Sequence, residues 1–501
     1  MSTENKPSSG SKSGTIGVFT LAMMNVAAIV SLRGLPAEAE YGLSSVFYYI
    51  FAAVFFLIPV ALAAAEMATA WPQKGGVFRW VGEAFGGRFG FVAIFLQWMQ
   101  NTIWFPTVLT FAAVSVAYIG MDPSSDSALA ANKMYTLAIV LVFYWGSTLM
   151  NFRGMSLSGA ISKWGTLIGT VIPAAILIIL GILYYVTGHT IYMPLHASDL
   201  IPDLGNFSNL SLAVSIFLFY AGMEVSAVHV NEVDNPEKNY PLAILISAGI
   251  TVAIFVFGTL AIGFVIPQKD INLTQSLLVA YRNLFQAFGL EWLSPVVSIC
   301  LALGVFAGVN TWIAGPSKGI LAVGKAGYLP PILQRTNKHG VQVNILYFQS
   351  AIVTILSVIF VLLPSVQAAY QILSALTVTM YLIMYMLMFA AFIKLRIKEP
   401  NTPRPFKVPG GELGMWLVGG VGLISAFAAF LVGFIPPGQI PVGSPTEWVG
   451  LLVIGNLLAV GVPLLIYHSR KESWKTAEGS DSFEPFSWQK ETDAPAETSK
   501  K

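Results

Sequence analysis

LSLAVSIFLFYAGMEVSAVHV, residues 210–230, is an apolar run long enough to cross a bilayer, and it holds one acid, Glu224. A charge at that depth is expensive, so an intramembrane carboxylate marks a functional position by default. Gly222, two residues earlier, weakens the helix at the same point. A helix break beside a carboxylate within a span is the pattern of a membrane transport site, where unwound backbone meets a solute.

The rest of the chain suits such a site. Of its 501 residues 55% are hydrophobic and 10% are charged, with a mean hydropathy of +0.70; a soluble chain carries about a quarter charged residues. This is the composition of a polytopic membrane protein, and it excludes a soluble enzyme. The net charge of +2 is uninformative about partners, and nothing in the chain points to nucleic acid. Cys300, the single cysteine, excludes an intramolecular disulfide and a cysteine metal site, and its apolar surroundings suit a small buried hydrophobe. The spans hold no His/Asp/Glu metal cluster and no paired acids, so no metal, no cofactor and no membrane enzyme is expected. Residues 1–14 are polar, with no apolar run of their own, and imply no cleavable signal peptide.

Twelve runs are long enough to span: 15–38, 43–70, 89–120, 135–150, 160–187, 209–230, 241–266, 293–322, 344–363, 367–393, 414–435 and 447–468. With the N-terminus placed in the cytoplasm, 23 of the 27 Lys and Arg residues fall inside; only Lys133, Lys269, Arg282 and Arg33 fall outside. That asymmetry predicts an inner, plasma-membrane location, both termini cytoplasmic and an even number of spans. Residues 1–14 and 469–501 then read as cytoplasmic tails. The second is polar, lacks Leu, Ile and Val, and is expected to be disordered.

The first and sixth runs share a defect. The first contains SLRGLP, residues 31–36, where Gly34 and Pro36 oppose continuous helix. The sixth contains Tyr220-Ala221-Gly222-Met223-Glu224. They lie five runs apart, and an odd offset reverses orientation in the membrane. Paired interrupted segments in corresponding halves indicate an inverted repeat with a binding site between its halves.

Several stretches resemble the amino acid–polyamine–organocation superfamily, and within it the glutamate:GABA antiporter family. They are YAGMEVSAVHVNEVDNPEKNYPLA (220–243), PVALAAAEMATAWPQKGGVFRWV (59–81), LGVFAGVNTWIAGPSKGILAVGKAGYLPP (303–331), NKHGVQV (337–343) and PFKVPGG (405–411). The resemblance covers roughly 15–468. It implies an all-α integral membrane protein of the LeuT type: twelve transmembrane helices, with a first repeat over 15–187, a second over 209–393, broken helices 1 and 6, and two further helices over 414–468. It also implies amino acid exchange, often of a substrate for its decarboxylation product. In that fold an amino acid's carboxylate meets N–H groups at a half-helix N-terminus and its ammonium meets carbonyls at a half-helix C-terminus. By position, the breaks fall at Ala28, Ile29, Val30 and Ser31 and at Tyr220, Ala221 and Gly222. Ala27-Ala28-Ile29-Val30-Ser31 stands where many relatives have a Gly-Ser-Gly type turn. Leu218 and Tyr220 stand near the aromatic gate of cationic amino acid exchangers, so a tryptophan-type gate is absent there.

Glu224 anchors the second break or titrates and couples transport to pH. Gln97, Gln100, Asn101 and Trp104 share one face of the third span, where they line a path or bind neighbouring helices. Thr377, Tyr381 and Tyr385 form a stripe on the tenth. The resemblance places Tyr381, Tyr385 and Trp312 along the substrate path. Gly308 stands where some glutamate exchangers carry an acid, which removes a charge and bulk from the pocket. Lys163, at the start of the fifth span, is an ion surrogate in some relatives and otherwise a snorkelling anchor. Glu66 is expected to pair with a cytoplasmic Lys or Arg. Arg33, Glu38 and Glu40 pair with each other or steer a solute, and His229 pairs with Glu224 or is structural. Together these residues predict an amino acid antiporter of glutamate/GABA type working by alternating access on small amino acids and amines, with or without protons. A proton-coupled symporter is the alternative within transport, and a channel or receptor the alternative class. Oligomeric state is left open.

Overall fold

The structure, a computed structural model, describes residues 16–73, 75–153, 164–165, 167–202, 205, 210–226, 232–477 and 483–489, without the side chains of Ala28 and Ser226. Lys163, His229 and the tail 1–14 lie outside the described residues. Helices make up most of what is described, with two isolated bridges, Ile16 to Val233 and Ala326 to Lys475.

Nine helices among the described residues are long and apolar enough to cross a membrane. In chain order the elements that matter here are α1 (Val18–Ile29), α2 (Leu35–Ala39), α3 (Gly42–Ala70), α4 (Val77–Phe85), α5 (Gly87–Ala117), α6 (Lys133–Asn151) and α7 (Leu167–Val186). There follow α8 (Val214–Tyr220), α9 (Met223–Ser226), α10 (Pro236–Val265), α11 (Ser276–Ala287), α12 (Leu293–Lys325), α13 (Val343–Leu362), α14 (Val366–Lys398), α15 (Gly411–Gly433) and α16 (Pro445–His468). The segments Val18–Ala27 and Leu32–Ala39, bent by 45°, make a tenth span if taken together. α5 is 31 residues long, but its amides lower its hydropathy. The sixth run, Val214–Val225, is short because it is broken.

Side chains facing away from the bundle are apolar. Leu457, Leu458 and Leu465 on α16 and Ile424 on α15 are each more than half exposed, as expected of a multi-pass membrane protein whose outer face meets lipid. Inside, α5 packs along both α12 and α14, so the helix with the amide stripe is at the centre.

Both expected breaks are present, each confined to two residues. α1 continues through Ala28 and Ile29, then Val30 (φ −67°, ψ 119°) and Ser31 (φ −137°, ψ 119°) are extended before a 3-10 turn over Leu32–Gly34. Ala28 and Ile29 are therefore helical: alanine is the strongest helix former, and the helix ends at Val30, whose N–H still bonds back to Val26 O. Tyr220 likewise ends α8, and the chain unwinds at Ala221 (φ −73°, ψ 147°) and Gly222 (φ +116°). Gly222 carries a positive φ that an L-residue rarely adopts. Gly34 serves another purpose than breaking the helix. A Cβ there would come within 2.2 Å of the Phe219 ring, so glycine lets the two broken helices touch. Pro36 sits in the first turn of α2, where its missing N–H costs nothing.

The described parts of the C-terminal tail depart from the disorder expected of 469–501. Phe486 is buried against Gly82 and Phe78, Arg79 donates to the carbonyls of Glu484 and Pro485 at 2.6 and 3.1 Å, and Trp488 Nε1 donates to Gly82 O at 3.1 Å. The absence of Leu, Ile and Val hid the anchors: Phe483, Phe486 and Trp488 supply the apolar area.

Glu66 pairs as expected. Its carboxylate, 2% exposed, meets Arg396 and Arg404 and accepts from Val408 N at 2.7 Å. It thus ties the end of α3 to the end of α14 and to the 405–411 segment. Glu66→Gln replaces one acceptor oxygen by a donor facing two guanidinium groups. It is expected to cost about 2 kcal/mol, read as a fall of a few degrees in the unfolding temperature of detergent-purified protein.

Candidate functional site

The two breaks face one another. A Cβ built on Gly222 would lie 3.9 Å from Ile29 and 3.8 Å from Trp312. Between them is a cavity walled by both broken helices and by α5, α7, α12 and α14. Of the residues expected at the site, Ile29, Val30, Ser31, Asn101, Ala221, Gly308, Trp312 and Tyr381 line it. A Cβ on Gly308 would meet nothing within 4 Å, so this glycine leaves open space in the wall.

Glu224 sits one hydroxyl behind that wall. Tyr381 OH donates to its Oε1 and Tyr385 OH to its Oε2, both at 2.6 Å, and Gln97 Nε2 donates to Oε1 at 3.1 Å. The Gly222 N–H, freed by the break, donates to the hydroxyl oxygen of Tyr385 at 2.9 Å. One chain of bonds therefore runs from the unwound backbone through Tyr385 to Glu224 and on to Tyr381 and Gln97. In a bilayer each freed backbone group needs a partner; here the tyrosine stripe of α14 supplies it. Gln97, Tyr220, Gly222 and Tyr385 do not line the cavity but support its wall. Tyr220 OH donates to Tyr49 O at 3.2 Å.

The α5 stripe divides its tasks. Gln100, Asn101 and Trp104 line the cavity, and Asn101 Nδ2 also donates to Trp312 O at 2.8 Å, joining α5 to α12. The rings of Trp104 and Trp312 lie 6.1 Å apart. Thr377 bonds within its own helix, to Leu373 O at 2.7 Å, and takes no part in the site.

Arg33, Glu38 and Glu40 do not cluster. Arg33 and Glu38 are five positions apart, about 140° around a helix, and their side chains diverge. Glu38, fully buried, accepts from Ser215 Oγ at 2.6 Å. Burial pushes the Glu40 carboxyl, beyond the end of α2, up to about 7. Arg33 instead lines the cavity, neither paired with those acids nor out in a vestibule. Phe219 and Thr170, also in the wall, belong to no stripe or motif that the sequence singled out.

Residues 16–457 match the model of a family described as amino acid permeases. An uncharacterized transporter of Legionella pneumophila is 42% identical over 457 residues, covering 91% of this chain and 97% of that protein. A glutamate/gamma-aminobutyrate antiporter of Lactococcus lactis is 32% identical over 457 residues, covering 90% of each. A Lactococcus lactis protein named "Probable agmatine/putrescine antiporter" is 26% identical over 396 residues, covering 78% of this chain and 82% of its own. With two broken helices around one cavity and a family match over most of its length, this chain is a membrane transporter of the amino acid permease family, within the amino acid–polyamine–organocation superfamily.

Proposed function

We propose that the protein is a secondary active amino acid transporter that works by alternating access and exchanges one amino acid for a related amino acid or amine, of the glutamate/GABA type. The observation that carries this is the cavity at the meeting point of the two breaks. The last carbonyls of α1 and α8 and the first N–H groups after Ser31 lack helical partners. An amino acid zwitterion supplies both: its ammonium donates to the carbonyls, and its carboxylate accepts from the N–H groups. Twelve spans in a five-plus-five inverted repeat, 15–187 and 209–393, would let one half rock against the other. Both termini would face the cytoplasm of a cell with this protein in its inner membrane, as the Lys and Arg distribution implies. The antiporter relative at 32% identity supports exchange.

The test is reconstitution of the full chain in liposomes preloaded with unlabelled amino acids or amines, followed by entry of labelled ones. Exchange predicts entry only against a suitable internal load. Entry that ignores the load but follows an inward proton gradient would replace exchange by symport, and conductance without saturation would replace both by a channel.

A further inference from the structure

Among the described side chains that line the cavity only Arg33 carries a formal charge. It is 3% exposed. Nη1 donates to Thr107 Oγ1 at 3.3 Å and to Tyr370 OH at 3.1 Å, and the guanidinium lies 5.4 to 5.8 Å from the ring centres of Phe219, Trp104 and Tyr370. Nε has no partner among the described residues. Nor does any carboxylate among the described residues pair with Arg33. The other arginines shielded from solvent each have one: Arg79 meets Glu83, Arg282 meets Asp126, and Arg396 and Arg404 share Glu66. Glu224 does not supply the missing anion, because its donors are Tyr381, Tyr385 and Gln97.

A guanidinium stays charged at any physiological pH, and a buried cation without an anion is costly. A ligand can remove that cost. A zwitterion cannot do so by charge count, since the helix ends at the breaks already match its two charges. A cationic amine would add a second positive charge. A solute with one further carboxylate balances the site. With Nη1 occupied, the Nε–Nη2 edge is left, and that edge meets a carboxylate with two parallel bonds. Gly308 leaves room and brings no competing acid.

We propose that Arg33 is the anion receptor of this cavity, selecting amino acids with a second carboxylate over their neutral amides and over cationic amines. This rests on the cavity being the substrate site.

The experiment uses the purified full chain and measures binding by ligand-induced thermal stabilisation, which needs no transport, beside exchange in liposomes. The probes are glutamate, aspartate, glutamine and agmatine. Wild type is expected to prefer glutamate or aspartate over glutamine by roughly 30-fold or more, the loss seen when a buried charge pair is truncated, and to ignore agmatine. R33Q should bring the ratio near one, and R33K, which keeps the charge but loses the fork, should retain a reduced preference. Equal affinity for glutamate and glutamine in wild type, binding of neither acidic probe, or an unchanged ratio in R33Q would overturn the proposal. Should R33Q not purify as a monodisperse protein, R33K decides: an undiminished preference also overturns it. A preference lost in R33Q without load-dependent exchange would leave Arg33 in its role and sink the exchange mechanism instead.

Discussion

Glu224→Gln should reduce transport by roughly 100-fold while leaving a protein that still purifies as a single species. The wild-type carboxyl group accepts from two hydroxyls and an amide, two bonds on Oε1 and one on Oε2. Glutamine keeps one acceptor and puts a donor where the Tyr385 hydroxyl now donates. The Tyr385 hydroxyl oxygen already accepts from the Gly222 N–H, so its proton is left facing another donor in a buried site. Two compromised bonds at about 1–3 kcal/mol each amount to roughly 100-fold in an equilibrium constant. The loss should appear in transport more than in folding, because these bonds fix the backbone that forms the site wall. The same chain of bonds ranks the tyrosines. Tyr385→Phe removes the acceptor of Gly222 N–H and a donor to Glu224, whereas Tyr381→Phe removes one donor only. Initial exchange rates should fall in the order Glu224→Gln, Tyr385→Phe, Tyr381→Phe. A Tyr381→Phe variant worse than Tyr385→Phe would show that the link to the helix break is not what matters.

The breaks were legible in the sequence for different reasons. At Gly222 the residue is the cause: its φ of +116° is open to glycine, and a lone glycine before an acid in an apolar span stands out. At the first break the visible signal, Gly34 and Pro36, lies a few residues beyond the interruption at Val30 and Ser31. Neither of those two residues is a glycine or a proline, so the exact place of the break carried no mark of its own. Asn101 and Tyr381 were legible because polar or aromatic side chains at helical spacing within a span are conspicuous, and Trp312 only through the family resemblance. The place of Arg33 was not, because an arginine near two glutamates reads as an ion pair until the helix turns them apart. Gln97 and Tyr385 show a further limit. Spacing identified their faces but could not tell a wall from the support behind it, since both kinds of residue share one stripe and only the position of Glu224 separates them.

Gly304→Val should leave no folded transporter. α7 and α12 meet backbone to backbone at Gly169 and Gly304, both in the cavity wall. A Cβ on Gly304 would come 2.5 Å from Gly169 Cα and 2.7 Å from its carbonyl atoms. One on Gly169 would come 2.2 Å from Gly304 Cα and 2.5 Å from Cys300 O. Each clash is with main chain, which cannot swing aside as a side-chain tip can. Such small-residue contacts let membrane helices approach closely, where packing rather than the hydrophobic effect drives association. Gly304→Ala should cost about 3 kcal/mol, the upper part of the usual range for overpacking, and the helices can relieve it only by separating. Separation widens the cavity, because α12 carries Gly308 one turn on and Trp312 two turns on, and α7 carries Thr170. Gly304→Ala is therefore expected to purify with a lower unfolding temperature and weaker substrate affinity together. Gly315, on the same helix, has nothing within 4 Å of an added Cβ, so Gly315→Ala should change neither. If Gly304→Ala matched Gly315→Ala in melting temperature and in affinity, the close contact between α7 and α12 would not be what sets the width of the cavity.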